Sequence, residues 1–155
     1  MVITDAIKAV IALLDNCVLP DSADFTQHSY YQKVRFVPAY PLGTLDVPVV
    51  AFSPAGGASE RKGLGHWERW HGPRIQMDVL AETSTYARRI FEKVCEVLLY
   101  DYNDGAGAGD GTYGSLYLYG QGLKTVEIGE PQTAVWDEKG KVARIVADVH
   151  VTFTD

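Results

Sequence analysis

Apolar residues recur at spacings of three and four from Ile3 through Ile7, Val10, Ile11, Leu14 and Val18, the period of a helix that buries one face. The spacing predicts an amphipathic helix over residues 3–19 that Pro20 stops, with Thr4 as its cap and Asp5 favouring the positive helix end. Residues 33–37 and 47–52 then read as two strands joined by a turn around Pro41–Gly43. Pro48 cannot donate to a ladder and points to an edge. Residues 53–72 read as a long insertion rich in glycine and polar groups, and insertions of that length usually carry a function.

From Arg74 the alternation is clean, with Ile75, Met77 and Val79 on one face and Arg74, Gln76 and Asp78 on the other, as in a half-buried strand. Thr83 or Ser84 can cap a second helix through about residue 100, whose stripe is Ala87, Ile90, Phe91, Val94, Val97 and Leu98. Residues 101–114 lack any period and read as a loop. Leu116–Tyr119 and Leu123–Ile128 read as a hairpin about Gly120-Gln121-Gly122. A turn at residues 137–140 leads to the longest alternating run of the chain, Ala143 to Phe153 on one face and Arg144 to Thr152 on the other. Helix, strands, insertion, strand, helix and strands in that order lack a regular βαβ alternation. They predict an α+β fold, a mainly antiparallel sheet covered by two helices with a long hairpin-like loop, in one domain over residues 1–155.

At 46% hydrophobic and 22% charged residues, the chain has the make-up of an ordinary globular domain. No apolar run approaches the ~20 residues of a membrane span, and the amino terminus lacks a secretory pattern, so a cytoplasmic site of assembly is expected. Cys17 and Cys95 sit in helical patterns and read as reduced, buried thiols. The net charge of −6 disfavours gripping a phosphate backbone; it suits a channel through which DNA slides, and ordinary solubility explains it equally well.

Candidate chemistry is sparse. Gly109-Asp110-Gly111-Thr112-Tyr113-Gly114 spells a dinucleotide fingerprint, yet it follows a helix and opens a strand, the reverse of what pyrophosphate binding needs. Asp101, Asn103, Asp104 and Asp110 offer oxygen ligands, but the twelfth position of a calcium loop would be Thr112. The four histidines, His28, His66, His71 and His150, form no zinc pattern, and no nucleophile elbow is present. The reading is of a non-enzyme without metal or cofactor, its carboxylates solvated at the surface.

Two segments stand out instead. Arg61-Lys62-Gly63-Leu64-Gly65-His66-Trp67-Glu68-Arg69-Trp70-His71 concentrates two of the three tryptophans with arginine and histidine, a composition typical of binding hot spots. The same residues could cap the domain's own core or extend the strand as a hairpin arm. Tyr100, Tyr102, Tyr113, Tyr117 and Tyr119 surround the glycine-rich loop; Tyr117 and Tyr119 suit sheet packing, and Tyr102 and Tyr113 suit an interface. The protein-interface candidates are therefore Arg61, Leu64, His66, Trp67, Arg69, Trp70, His71, Tyr102 and Tyr113.

The opening amphipathic helix, the run Arg74 to Thr83 leading directly into Tyr86 to Val94, and the closing hairpin ending Val142 to Phe153 together cover most of the chain. In this pattern the chain resembles the tail terminator, or tail completion, proteins of long-tailed bacteriophages. The resemblance implies a subunit of a hexameric homo-oligomeric ring. Such a ring caps the tail tube protein, ends tail polymerisation and meets the head-tail connector or neck protein, while double-stranded DNA passes through its lumen without specific binding. It implies a place in the virion and no catalytic residue. Another neck or head-completion protein would share size and ring assembly. A cellular small-molecule-binding or enzymatic α+β domain would use the glycine loop as a lid over a pocket near Tyr102 and Asp104.

Overall fold

A computed structural model of the chain describes residues 3–16, 33–40, 46–61, 69–99, 118–132, 135–137 and 141–154, the side chains of 16, 57–61, 69–71, 137 and 154 excepted. Helix α1 spans Ile3–Asn16. Strands β1 (Arg35–Val37), β2 (Val49–Arg61) and β3 (Arg69–Ala81) lead to helix α2 (Ser84–Leu99), and β4 (Leu123–Ile128), β5 (Val135–Asp137) and β6 (Val142–Thr154) complete the order. One six-stranded sheet runs β1-β2-β3-β6-β4, with β5 paired to β6 beyond β4. The fold is α+β, dominated by antiparallel pairs.

Both helices lie on one face, α1 over β1 and β2 and α2 over β3, β6 and β4, touching each other between. The α2 stripe is buried as its period predicts, at Ala87, Ile90, Phe91, Val94, Val97 and Leu98. It meets Ile75, Met77 and Val79 of β3 and Ile145, Ala147, Val149, Val151 and Phe153 of β6, all in one core. Thr83 is the cap: its Oγ1 accepts the Tyr86 N–H at 3.2 Å, while its carbonyl accepts the Ala87 N–H at 3.0 Å and so closes the first helical turn. In α1 the buried stripe is wider than the large residues alone predict. Ala6, Ala9 and Leu13 join Ile7, Val10 and Leu14, because α1 packs against both a helix and two strands. Thr4 lies inside α1 and not at a cap; the expected end at residues 17–19 falls outside the described residues.

Three expectations give way. First, β1 is Arg35–Val37 alone and pairs with β2 in parallel, Phe36 opposite Val50, so the two do not form a hairpin. Pro48 precedes the first residue of β2, where its missing N–H costs no ladder bond and its carbonyl accepts from Arg35 at 3.3 Å; β1, not β2, takes the edge. Second, much of the insertion expected at residues 53–72 is strand. The 13 residues of β2 and the 13 of β3 pair from Val49↔Leu80 out to Arg61↔Arg69, with a bulge between Pro54 and Gly57. Gly56 takes a φ of 101° at that bulge, a conformation open to glycine. Third, the expected strand at 116–119 is not formed where it is described: Leu118–Gly120 is a helical turn. Gln121 and Gly122 donate back to the Leu118 and Tyr119 carbonyls at 3.1 and 3.0 Å, and Gly122 at φ 98° ends the turn. The glycines that suggested a hairpin serve as a helix stop, and Leu118 is buried in the core.

Candidate interaction surfaces

The β2–β3 hairpin is an arm. Strands of 13 residues reach on the order of 40 Å, whereas among the side chains described the buried core residues of the pair fall within Val49–Phe52 and Ile75–Ala81. On its inner side the arm is joined to β6 by Trp70↔Thr154 and His71↔Phe153. The hairpin-arm alternative is thus the arrangement the backbone adopts. Arg61, Arg69, Trp70 and His71 lie in the arm's two strands, Arg61 directly opposite Arg69 and Glu60 opposite Trp70. Leu64, His66 and Trp67 lie between the strands, outside the described residues, as do Tyr102 and Tyr113.

A polar seam crosses the sheet face turned away from the helices. Asp78 is 0% exposed, a correction to its place among solvated carboxylates. Its Oδ1 accepts from Arg144 Nε at 2.8 Å and lies 2.6 Å from the second guanidinium nitrogen, and its Oδ2 accepts from Gln76 Nε2 at 2.9 Å. Charge-assisted bonds to both oxygens are what make such burial tolerable. The Arg144 guanidinium also stacks over the Tyr40 ring at 5.0 Å. Val49, Leu80 and Val142 form a small buried cluster on this face, with Val37, Tyr40 and Val47 against it. Further along, Arg74 and Asp148 approach at 3.8 Å, both about half exposed, and Thr125 and Thr152 share a 2.6 Å hydrogen bond.

Beyond the seam, β4 forms the far edge of the sheet, with Glu127 and, just past its end, Glu130 exposed. The third tryptophan was not singled out by the sequence. Trp136, in β5, is 53% exposed beside Val135 at 61%, and an exposed apolar pair on an edge strand is unusual enough to have been a signal. Tyr119 is exposed too, with Lys124 Nζ 5.0 Å from its ring centre.

For ligand chemistry the described residues offer little. They hold no group of three or more His, Cys, Asp or Glu that could bind a metal. A depression of about 170 Å³ lined by Lys33, Pro48, Ala81, Glu82 and Tyr86 is below the ~300 Å³ at which small-molecule sites begin. Cys95 is half-buried and free, and burial, with the Glu92 charge, pushes its thiol up to about 11, the opposite of an activated nucleophile. Cys17 lies outside the described residues. No described helix is long and apolar enough to cross a membrane.

The described residues form a two-layer α+β fold with a long β2–β3 hairpin. No protein-family model matches the chain, and no curated protein matches it in sequence. In fold it is similar to a chain in the solved virion of a native gene transfer agent (GTA) particle, at 16% identity and a TM-score of 0.57 over 96% of this chain and 94% of that one. At that identity the likeness is one of fold.

Proposed function

We propose that the chain is a structural virion protein of a phage-like particle, a tail terminator. Its copies form a ring, hexameric in the resembled family, that caps the tail tube, ends tail polymerisation and presents a surface to the head-tail connector or neck protein. DNA passes through the lumen, and the net charge of −6 keeps a duplex from sticking. The ring assembles in the host cytoplasm and ends in the virion, and no catalytic step is assigned to it. The observation that carries this reading is the fold match to a chain of a virion over 96% and 94% of the two lengths. The projecting arm supports it: Arg61, Arg69, Trp70 and His71 lie on the arm and Leu64, His66 and Trp67 in the stretch that joins its strands, the residue types that dominate interfaces.

The test is light scattering of the purified chain across concentration, with negative-stain imaging, alone and with polymerising tube protein. Open-centred rings that stop tube growth support a terminator, and rings that bind finished tails without limiting their length favour another neck protein. A chain that stays monomeric and does not bind tubes sinks both. Replacing Trp67 and Trp70 together by alanine is expected to abolish assembly while the circular dichroism spectrum and melting curve stay those of the wild type. Normal rings from that variant would remove the arm from the interface.

A further inference from the structure

One end of the sheet carries both an exposed indole and a depression of a size to hold one. The register sets them in a single row on the helix side of the sheet. Trp136 is opposite Ala143, Ala143 is opposite Ala81, and Pro48 precedes Val49, the partner of Leu80. Trp136 belongs to β5, which at this end is a lateral edge of the sheet among the described residues, and edge strands are normally charged or covered. The depression of about 170 Å³ lies two strands in. It is lined by Ala81 at the end of β3, Glu82, Tyr86 of α2, Pro48 and Lys33, and it reaches the other flank, since Lys33 precedes β1, the opposite edge strand. That volume is too small for a metabolite, but a cavity of roughly 150 Å³ takes one benzene ring. The chain's own Trp136 does not line it and stays 53% exposed.

We propose that the Trp136 indole of one copy of this chain seats in the depression of a second copy, a head-to-tail contact between opposite flanks of neighbouring sheets. This rests on the ring reading above and names the surfaces that close the ring. The lining matches the chemistry of an indole. Pro48 and Tyr86 offer apolar surface to its faces, Lys33 a cation for its electron-rich ring, and Glu82 an acceptor for its N–H. A tryptophan anchored in a pocket is the kind of contact that carries most of an interface's energy. Two different patches, each repeated in every copy, are what a cyclic assembly larger than a dimer requires. A second copy suits the depression better than a different protein does, because this chain supplies both halves of the contact and holds them on separate flanks, where one copy's indole meets its neighbour's lining.

The experiment is a double-mutant cycle on self-association, read by sedimentation across concentration, alone and on polymerised tube protein. Trp136→Ala and Tyr86→Ala are each expected to weaken assembly by about tenfold, with melting curves of the dilute proteins near wild type. Glu82→Arg, at an exposed rim position, serves as a second socket variant should Tyr86→Ala lower the melting curve. Because indole and lining touch each other, the variant that lacks both is expected to assemble no worse than the weaker single one to within about twofold, whereas independent sites would multiply to about a hundredfold. Overturning outcomes are a Trp136→Ala chain that assembles like the wild type, losses that multiply, or normal rings of Trp136→Ala that no longer seat on tubes, which would set Trp136 against the tube instead. A wild-type chain that neither self-associates nor binds tubes overturns the ring reading together with this one; rings indifferent to Trp136→Ala overturn this contact alone.

Discussion

The two faces of the sheet are built on different principles. Under the helices, every inward position of β3 and β6 from Ile75 and Val149 onward is aliphatic or aromatic and buried, and no single pair dominates. On the opposite face the same strands bury Asp78 completely, and what holds it is a specific set: Arg144, Gln76 and, through the guanidinium, the Tyr40 ring. Hydrophobic burial is additive and indifferent to partner, whereas a buried charge depends on one partner being in place. The covered face should therefore fail wherever charge is introduced, and outside the small Val49, Leu80 and Val142 cluster the opposite face should fail at one pair.

The largest effect is expected at Val94, fully buried on the α2 stripe. Val94→Asp places an unpaired carboxylate in the core, a cost of about 5 kcal/mol or more, comparable to the whole stability of a small domain. Loss of the cooperative thermal transition by circular dichroism is the expected result. Val146→Lys, half-buried on the opposite face across from Asp78, should cost about 1 kcal/mol by the same measurement; equal losses at the two positions would break the contrast.

Arg144→Ala comes next. It leaves the Asp78 carboxylate buried with only the neutral Gln76 amide donating to it among the described side chains, and removing one member of a buried pair costs about 3–5 kcal/mol. Because Arg144 is itself 37% exposed, the lower end is expected, read from urea unfolding. Replacing both partners, Asp78→Leu with Arg144→Met, should recover most of the loss, since an apolar pair leaves no stranded charge. A double variant as unstable as the single one would show that the seam is needed for more than neutralising Asp78.

This contrast also explains what the chain disclosed in advance. The α2 stripe, the Thr83 cap and the alternation of β3 and β6 follow from period and local chemistry, and all three stand in the structure. Alternation put Asp78 and Arg144 each on the polar face of its own strand, but that says nothing about partner or exposure; pairing across 66 positions of sequence decided both. The parallel β1–β2 pair was hidden for the same reason, since a short apolar run carries no sign of its partner's direction. In the arm, Gly57 and Gly72 looked like loop because strand propensity is a weak guide where cross-strand pairing holds the backbone, and Gly56 sits at the bulge. The concentration of tryptophan, arginine and histidine in residues 61–71 is plain in the sequence, while the Arg61↔Arg69 register emerged only with the fold.

A smaller loss, of about 1 kcal/mol, is expected for Thr83→Ala, which removes the oxygen that accepts the Tyr86 N–H at the start of α2. Thr83→Ser should retain the bond and most of the stability, and urea midpoints of the two variants separate a lost cap from a lost methyl group. Since the cap lies at the rim of the covered face, its loss should lower stability without removing the cooperativity that Val94→Asp abolishes.

The smallest effect lies at Cys95, and it returns to the difference between burial and pairing. Asp78 is buried with a cationic partner, whereas the Cys95 thiol is pushed from its ordinary value of 9.0 up to about 11 by burial and by the Glu92 charge, with a backbone hydrogen bond acting the other way. In the unfolded chain the thiol ionises first, so between about 9 and 11 the folded state holds more protons than the unfolded one. Stability must then fall as pH rises through that window, and be unaffected by this group below it. Cys95→Ala should flatten that part of the stability-against-pH curve while changing little at neutral pH. An unchanged slope in the alanine variant would mean that the thiol is solvated in the folded chain, and that the covered face admits water at the partly exposed side of α2.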